Sequence, residues 1–259
     1  MYKEDISGRI AFISGASAGI GEATAKSLAS NGVNLILVAR RIDKLENLKN
    51  SFEKEYKIKV KIMKIDFSKS EEIVNALNSL EDEWKNIDIL INNAGLALNK
   101  DVYSNNLLED VLQMIRVNCE GLITATRILL PFILKSEHGH IINIASTAAD
   151  EAYSGGAIYC ATKSFVEMFG DALRIELIDK PVKVTNIKPG LVNTEFSMVR
   201  FKGDKEKADN VYKGLEPLLA EDIADNIEYV LTRKSHVQIS SMTIMAENQA
   251  TATMAYRRQ

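Results

Sequence analysis

Short, almost unbroken apolar runs alternate along the chain with longer stretches whose apolar positions recur every three or four residues. RIAFIS (9–14), VNLILVA (33–39), KVKIMKI (59–65), IDILIN (87–92), GHIINIAS (139–146), PVKVTNIKPG (181–190) and a run near 238–245 read as strands. Helical spacing predicts helices up to about Asn31, over DKLENLKNSFEKEY, and near 69–84, 104–119, 121–135, 157–179, 194–213 and 220–231. The strand runs do not alternate with polar residues, so they suit strands covered on both faces, as in a parallel sheet between helices. The expected fold is therefore α/β: a doubly wound, Rossmann-like parallel sheet of about seven strands with helices on both faces. No low-complexity linker or short repeat divides the chain, so 1–259 reads as a single domain. The terminal TATMAYRRQ has no clear pattern; disorder and an arm packing on another subunit both fit, and 246–259 is assigned as a C-terminal arm.

Composition narrows the classes. A net charge of −3 points to no nucleic-acid partner, and no apolar run approaches the ~20 residues that span a bilayer. The start MYKEDISGRIAFISG has neither the basic opening nor the cleavage site of a signal peptide. Cys119 and Cys160 are far apart and fit no zinc spacing, so both are expected as free thiols of a cytoplasmic protein. His138, His140 and His236 form no ligand set, and no metal is expected. No G-x-S-x-G nucleophile elbow appears.

SGASAGIG (14–21) places Gly15, Gly19 and Gly21 between the first strand and the first helix. Glycines there let backbone approach a pyrophosphate, whose charge the helix N-terminus favours. The spacing is G-x-x-x-G-x-G, and a tight turn with close helix–strand packing is the structural alternative. The second strand ends in Ala39, Arg40 and Arg41, with no acid before Asp43. Two guanidiniums suit a 2′-phosphate, where an acid would serve a 2′-hydroxyl, so NADP(H) is expected over NAD(H). Asp66 follows the third strand, where an adenine would rest; capping by Asp66 or Ser68 competes with that reading.

YCATK puts Tyr159 and Lys163 one helical turn apart, on one face. Alone, the pair reads first as a solvated helical pair. It does not stand alone: NNAG (92–95), Asn118 in RVNCEG, Ser146 at a strand end and KPG (188–190) occur in order around it. With the glycine loop, this set resembles the short-chain dehydrogenase/reductase family in its single-domain form, across essentially the whole chain. Ser14 stands where the family usually has Thr, and both carry a hydroxyl. YSGGAIYCATK, KPGLVNTEFSMVRFKGD and the ending RRQ are further similar to NADP-dependent 3-hydroxy acid dehydrogenases. That resemblance implies substrates such as L-serine, L-allo-threonine and 3-hydroxypropanoate.

Tyr159 would then be the acid/base. A free phenol titrates near 10. A Lys163 cation about 5 Å away is worth roughly 3 kcal/mol at an effective dielectric near 20, enough to bring it toward working pH. Ser146 would stabilise the developing alkoxide, with a strand-end cap as its alternative. The resemblance implies that Asn118 holds a water relaying protons to Lys163; a helix break before Gly121 is the alternative. It also implies cofactor contacts from Ser17, Ile20, Phe67, Asn93, Ala94, Gly95, Pro189, Gly190, Val192 and Thr194. Residues 191–215 become the substrate segment. Arg200 and Lys202 are candidates for the substrate carboxylate, and Tyr153 with Gly155 and Gly156 for the pocket wall. Family habit implies a homotetramer through the helices at 104–135 and 157–179. Other readings are a reductase of a 3-oxoacyl thioester, sugar or steroid, and a non-catalytic dinucleotide-binding regulator.

Overall fold

A computed structural model describes residues 3–258. Seven parallel strands form one sheet in the order β3-β2-β1-β4-β5-β6-β7. They are β1 (Ile10–Ser14), β2 (Asn34–Ala39), β3 (Val60–Lys64), β4 (Ile89–Asn92), β5 (Gly139–Ile144), β6 (Val182–Pro189) and β7 (Ser241–Ile244). The order reverses between β1 and β4, which opens a crevice at the strands' carboxyl ends.

Side chains alternate across each strand, so the apolar runs feed two cores. Ala11, Ile13, Leu35, Leu37, Ile89 and Ile91 pack under α1 (Gly19–Ser30), α2 (Ile42–Tyr56) and α9 (Ala220–Leu231). Phe12, Ile36, Val38, Leu90, Ile141 and Val184 face α3 (Ser70–Asn78), α4 (Leu108–Ile115), α5 (Leu122–Ile133) and α6 (Ala157–Glu176). The predicted helix over 69–84 divides: α3 ends at Asn78, and a separate 3-10 turn at Asp82–Trp84 buries Trp84.

Two predicted boundaries move further. No break separates the helices around Gly121; α4 runs into α5 through a π-helical stretch, Arg116–Gly121. Gly121 is needed for close approach instead, since a Cβ there would collide with the Phe67 carbonyl. The single helix predicted over 194–213 is two short ones, α7 (Phe196–Arg200) and α8 (Lys205–Asn210). Between them the backbone turns left-handed at Lys202 (φ 53°) and Gly203 (φ 91°). The C-terminal stretch folds back on its own chain, where Arg258 N donates to Gly214 O at 2.8 Å and Gln249 pairs antiparallel with Ala255.

Candidate active site

A cavity of about 650 Å³ lies along the carboxyl ends of the strands. Of the predicted site residues, Gly21, Asn118, Gly155, Gly156 and Lys202 do not line it. Gly21 packs behind the glycine loop, where a Cβ would meet the Gly15 carbonyl. Asn118 is buried in the π-helical stretch.

The cofactor side is fixed by backbone geometry. Gly15 (φ 68°) and Gly19 (φ 56°) occupy the left-handed region, which side chains disfavour. A Cβ on Gly19 would sit 3.2 Å from Thr194, so only glycine brings the loop that close to the far wall. Ser14 joins the loop to β4: its Oγ donates to Ile91 O and accepts from Asn93 N at 3.0 Å and Ala94 N at 2.9 Å. The Asn93 amide then donates to Ser14 O (2.9 Å) and Gly15 O (3.2 Å), so it holds the glycine loop in place. No side chain caps the first turn of α1, whose N–H groups are left for an anion. Arg41 donates to Ser17 Oγ and, at 2.7 Å, to Glu195, which also takes Lys44 at 2.8 Å. Lys44 and Arg41 together hold the Glu195 carboxyl below its usual range. Arg40 is exposed at the cleft margin. Asp66 lines the cleft but first serves its own turn, accepting from Ser68 N (3.0 Å) and Ser68 Oγ (2.8 Å).

The reacting side is carried by α6 and the end of β5. Three asparagines in register, Asn92, Asn143 and Asn186, link β4, β5 and β6 through side-chain amides at 2.9 and 3.1 Å. Asn186 reaches on to Glu167 O and Asp171 of α6, and Gly170 lets that helix lie against the ladder. This buried ladder sets the depth of Tyr159 and Lys163; the sequence reading missed it, although each Asn interrupts an apolar strand. Ser146 accepts from Ala148 N at 3.1 Å, so it does cap the following turn, and its O–H still faces the phenol. Asn118 Oδ1 accepts from Leu96 N, and its amide donates to Leu96 O and to Thr162 Oγ1, one residue from Lys163. A Cβ on Gly95 would lie 3.4 Å from both Asn118 Oδ1 and Lys163 Nζ, which places both groups beside it.

The electrostatics depart from expectation. The Lys163 ammonium donates to Ile144 O at 2.7 Å and lies 5.9 Å from the centre of the Tyr159 ring. Burial depresses the Lys163 pKa to about 8 and pushes the Tyr159 phenol up to about 12, although its ring opens on the cleft. The groups opposing the rise at Tyr159 are Arg200 and Ser146. Desolvation therefore dominates at both groups, because both sit in the same low-dielectric wall. Arg200 stands 5.1 Å from the centre of the Tyr159 ring and donates to Tyr153 Oη at 3.1 Å. Its Nε is buried with no partner. Lys202, the other predicted cation, turns away and pairs with Asp110 at 2.7 Å.

The family model for the short chain dehydrogenases matches residues 9–205. The chain belongs to the short-chain dehydrogenase family. Within it, the chain is 43% identical to an NADP-dependent 3-hydroxy acid dehydrogenase of Schizosaccharomyces pombe, covering 98% of each. It is 38% identical to a serine 3-dehydrogenase of Agrobacterium fabrum, covering 93% of this chain and 94% of the relative. A solved structure, the closed form of serine dehydrogenase complexed with NADP+, superposes with a TM-score of 0.88 at 41% identity, over 96% of this chain and 100% of that one.

This short-chain dehydrogenase also lines its cleft with residues the sequence reading missed. The Phe196 ring leans on Tyr159 at 5.8 Å, and Lys100, Gln249 and Arg257 reach the mouth. Phe196 lies two residues after the singled-out Thr194, so nearness in sequence was an available signal. The others are brought in by tertiary folding alone. The residues fit an NADP cradle: two left-handed glycines, an uncapped helix N-terminus, and arginines where an acid would select NAD.

Proposed function

We propose that the chain is an NADP-dependent oxidoreductase of short 3-hydroxy acids of the L-serine, L-allo-threonine and 3-hydroxypropanoate type. The observation that carries this is Arg200: a guanidinium that lines the cleft beside the Tyr159 ring. A carboxylate matches the guanidinium fork, and one short molecule reaches both Arg200 and the phenol. The names of the S. pombe and A. fabrum relatives agree with this reading. A cationic mouth of Arg200, Lys100 and Arg257 argues against the flat apolar pocket a steroid needs.

Gly15, Ser17, Gly19 and Ile20 would hold the pyrophosphate side of NADP, and Arg40 and Arg41 its 2′-phosphate. Asp66, Phe67 and Ala94 would hold the adenosine, with Asn93 as brace and Gly95 leaving room. Pro189, Gly190, Val192 and Thr194 would hold the nicotinamide end. When bound, the nicotinamide takes up or gives the hydride. Tyr159 moves the hydroxyl proton, as base in oxidation and as acid in reduction. A phenol at about 12 is protonated at neutral pH and ready to donate; oxidation requires the cations around it to bring it down. Ser146 donates to the substrate oxygen, and Lys163 stabilises phenolate. Asn118 braces Leu96 and Thr162 beside the lysine, and the relay water implied by the family pattern would rest against this brace. Tyr153 holds Arg200 and lines the pocket.

The substrate segment is 191–215, and the C-terminal arm from 246 completes the mouth. Leu108, Met168 and Ile175 are exposed on α4 and α6, and this apolar face suits a homotetramer of a cytoplasmic enzyme. No helix among the described residues is long and apolar enough to cross a membrane. The test is NADPH formation with L-serine, L-allo-threonine, 3-hydroxypropanoate and 3-hydroxybutyrate, each with NADP+ and with NAD+. Oxidation dependent on NADP+ is expected; silence on all four acids with NADPH binding intact overturns the substrate assignment.

A further inference from the structure

Three described non-glycine residues have a left-handed backbone, and two of them, Asn99 (φ 60°) and Lys202 (φ 53°), meet at one carboxylate. It belongs to Asp110 of α4, which is 6% exposed. Its Oδ2 accepts from Asn99 Nδ2 at 2.9 Å and from Lys202 Nζ at 2.7 Å. Asn99 N in turn donates to Arg200 O at 2.9 Å. One point thus fastens α4, the loop after β4 and the turn that ends α7, two residues beyond Arg200.

The construction is costly. A buried carboxylate is tolerated only when paired and hydrogen-bonded, and left-handed side chains persist only where their surroundings hold them. Such strain concentrates at ligand clamps. Here it lies beside Arg200, the guanidinium that lines the cleft next to Tyr159.

We propose that Asp110 is a positioning residue for the substrate carboxylate. With Lys202 and Asn99 it latches the α7 segment, so that the Arg200 guanidinium stays over Tyr159. Asp110 touches neither substrate nor cofactor; it acts through Arg200, and the inference rests on the carboxylate reading of that residue. A plain fold anchor would alter stability and leave substrate affinity alone.

The variants are Asp110→Asn, Lys202→Met and Lys202→Arg. Lys202 is half exposed, so Lys202→Met keeps the stem and removes the charge without opening the core. Steady-state rates are read with 3-hydroxypropanoate and with neutral 3-hydroxypropanamide, beside the Kd for NADP+. Asp110→Asn and Lys202→Met are expected to raise the KM for the acid about tenfold to a hundredfold, as small displacements of a clamp do. The NADP+ Kd and the amide kinetics stay put, and Lys202→Arg recovers most of the loss. An unchanged acid KM in Lys202→Met overturns the latch, as does an equal loss for acid and amide. A wild type that treats acid and amide alike overturns the carboxylate reading of Arg200 itself, and the latch falls with it.

Discussion

On the cofactor wall of the cleft, Ser14, Gly15 and Asn93 are tied together by short bonds between adjacent strand ends. On the substrate wall, Arg200 rides a five-residue helix whose place depends on a lysine reaching a carboxylate 92 residues away in the chain. The first wall is rigid because backbone conformation defines it. The second holds because side chains from distant segments meet. The two walls meet at Tyr159, where Phe196 and Arg200 lean on its ring and Lys163 approaches it.

The largest effect is expected where the walls meet. Tyr159→Phe should lower kcat by roughly 10²- to 10⁴-fold, the usual worth of a positioned acid/base, while NADPH still quenches protein fluorescence. Retained turnover would remove Tyr159 from the chemistry.

A substitution on the cofactor wall should act on the cofactor alone. Arg40→Ala loses a charge-assisted bond of about 1.5–3 kcal/mol, so NADP+ affinity should fall by roughly tenfold or more with NAD+ affinity unmoved. Binding titrations with both cofactors check this; equal losses would point to damage of the wall itself.

A separate test addresses the buried lysine without substrate. Lys163 titrates near 8 in the fold, against 10.5 unperturbed. Between those values the unfolded chain binds the extra proton, so stability from this group rises with pH and is complete above 10.5. Denaturation of wild type and Lys163→Met from pH 8 to 10.5 should show wild type gaining relative to the variant. Parallel curves would mean that Lys163 is not desolvated.

The contrast between the walls also explains what the sequence revealed. The apolar runs predicted all seven strands and most helices, because period and burial are local properties. Gly15, Gly19, Arg40 and Arg41 were legible because their meaning depends on a strand before and a helix after. Asn118 and Ser146 were legible as positions, yet their present partners, Leu96 and Ala148, come from folding. Gly121 misled as a helix breaker because the reason for it, the Phe67 carbonyl, lies on another loop. Lys202 and Arg200 looked equivalent in MVRFKGD; a left-handed backbone and Asp110 separate them. The asparagine ladder under α6 was equally hidden, since side-chain pairing across strands has no spacing in sequence.

The central claim is that Arg200 selects a carboxylate beside Tyr159. The direct measurement is kcat/KM for 3-hydroxypropanoate against 3-hydroxypropanamide, in wild type and in Arg200→Met. Wild type should favour the acid by about a hundredfold, the worth of roughly 3 kcal/mol of charge-assisted bonding, and Arg200→Met should erase that preference. A wild type that oxidises the amide as readily as the acid, or an Arg200→Met variant that keeps the preference, would contradict the account.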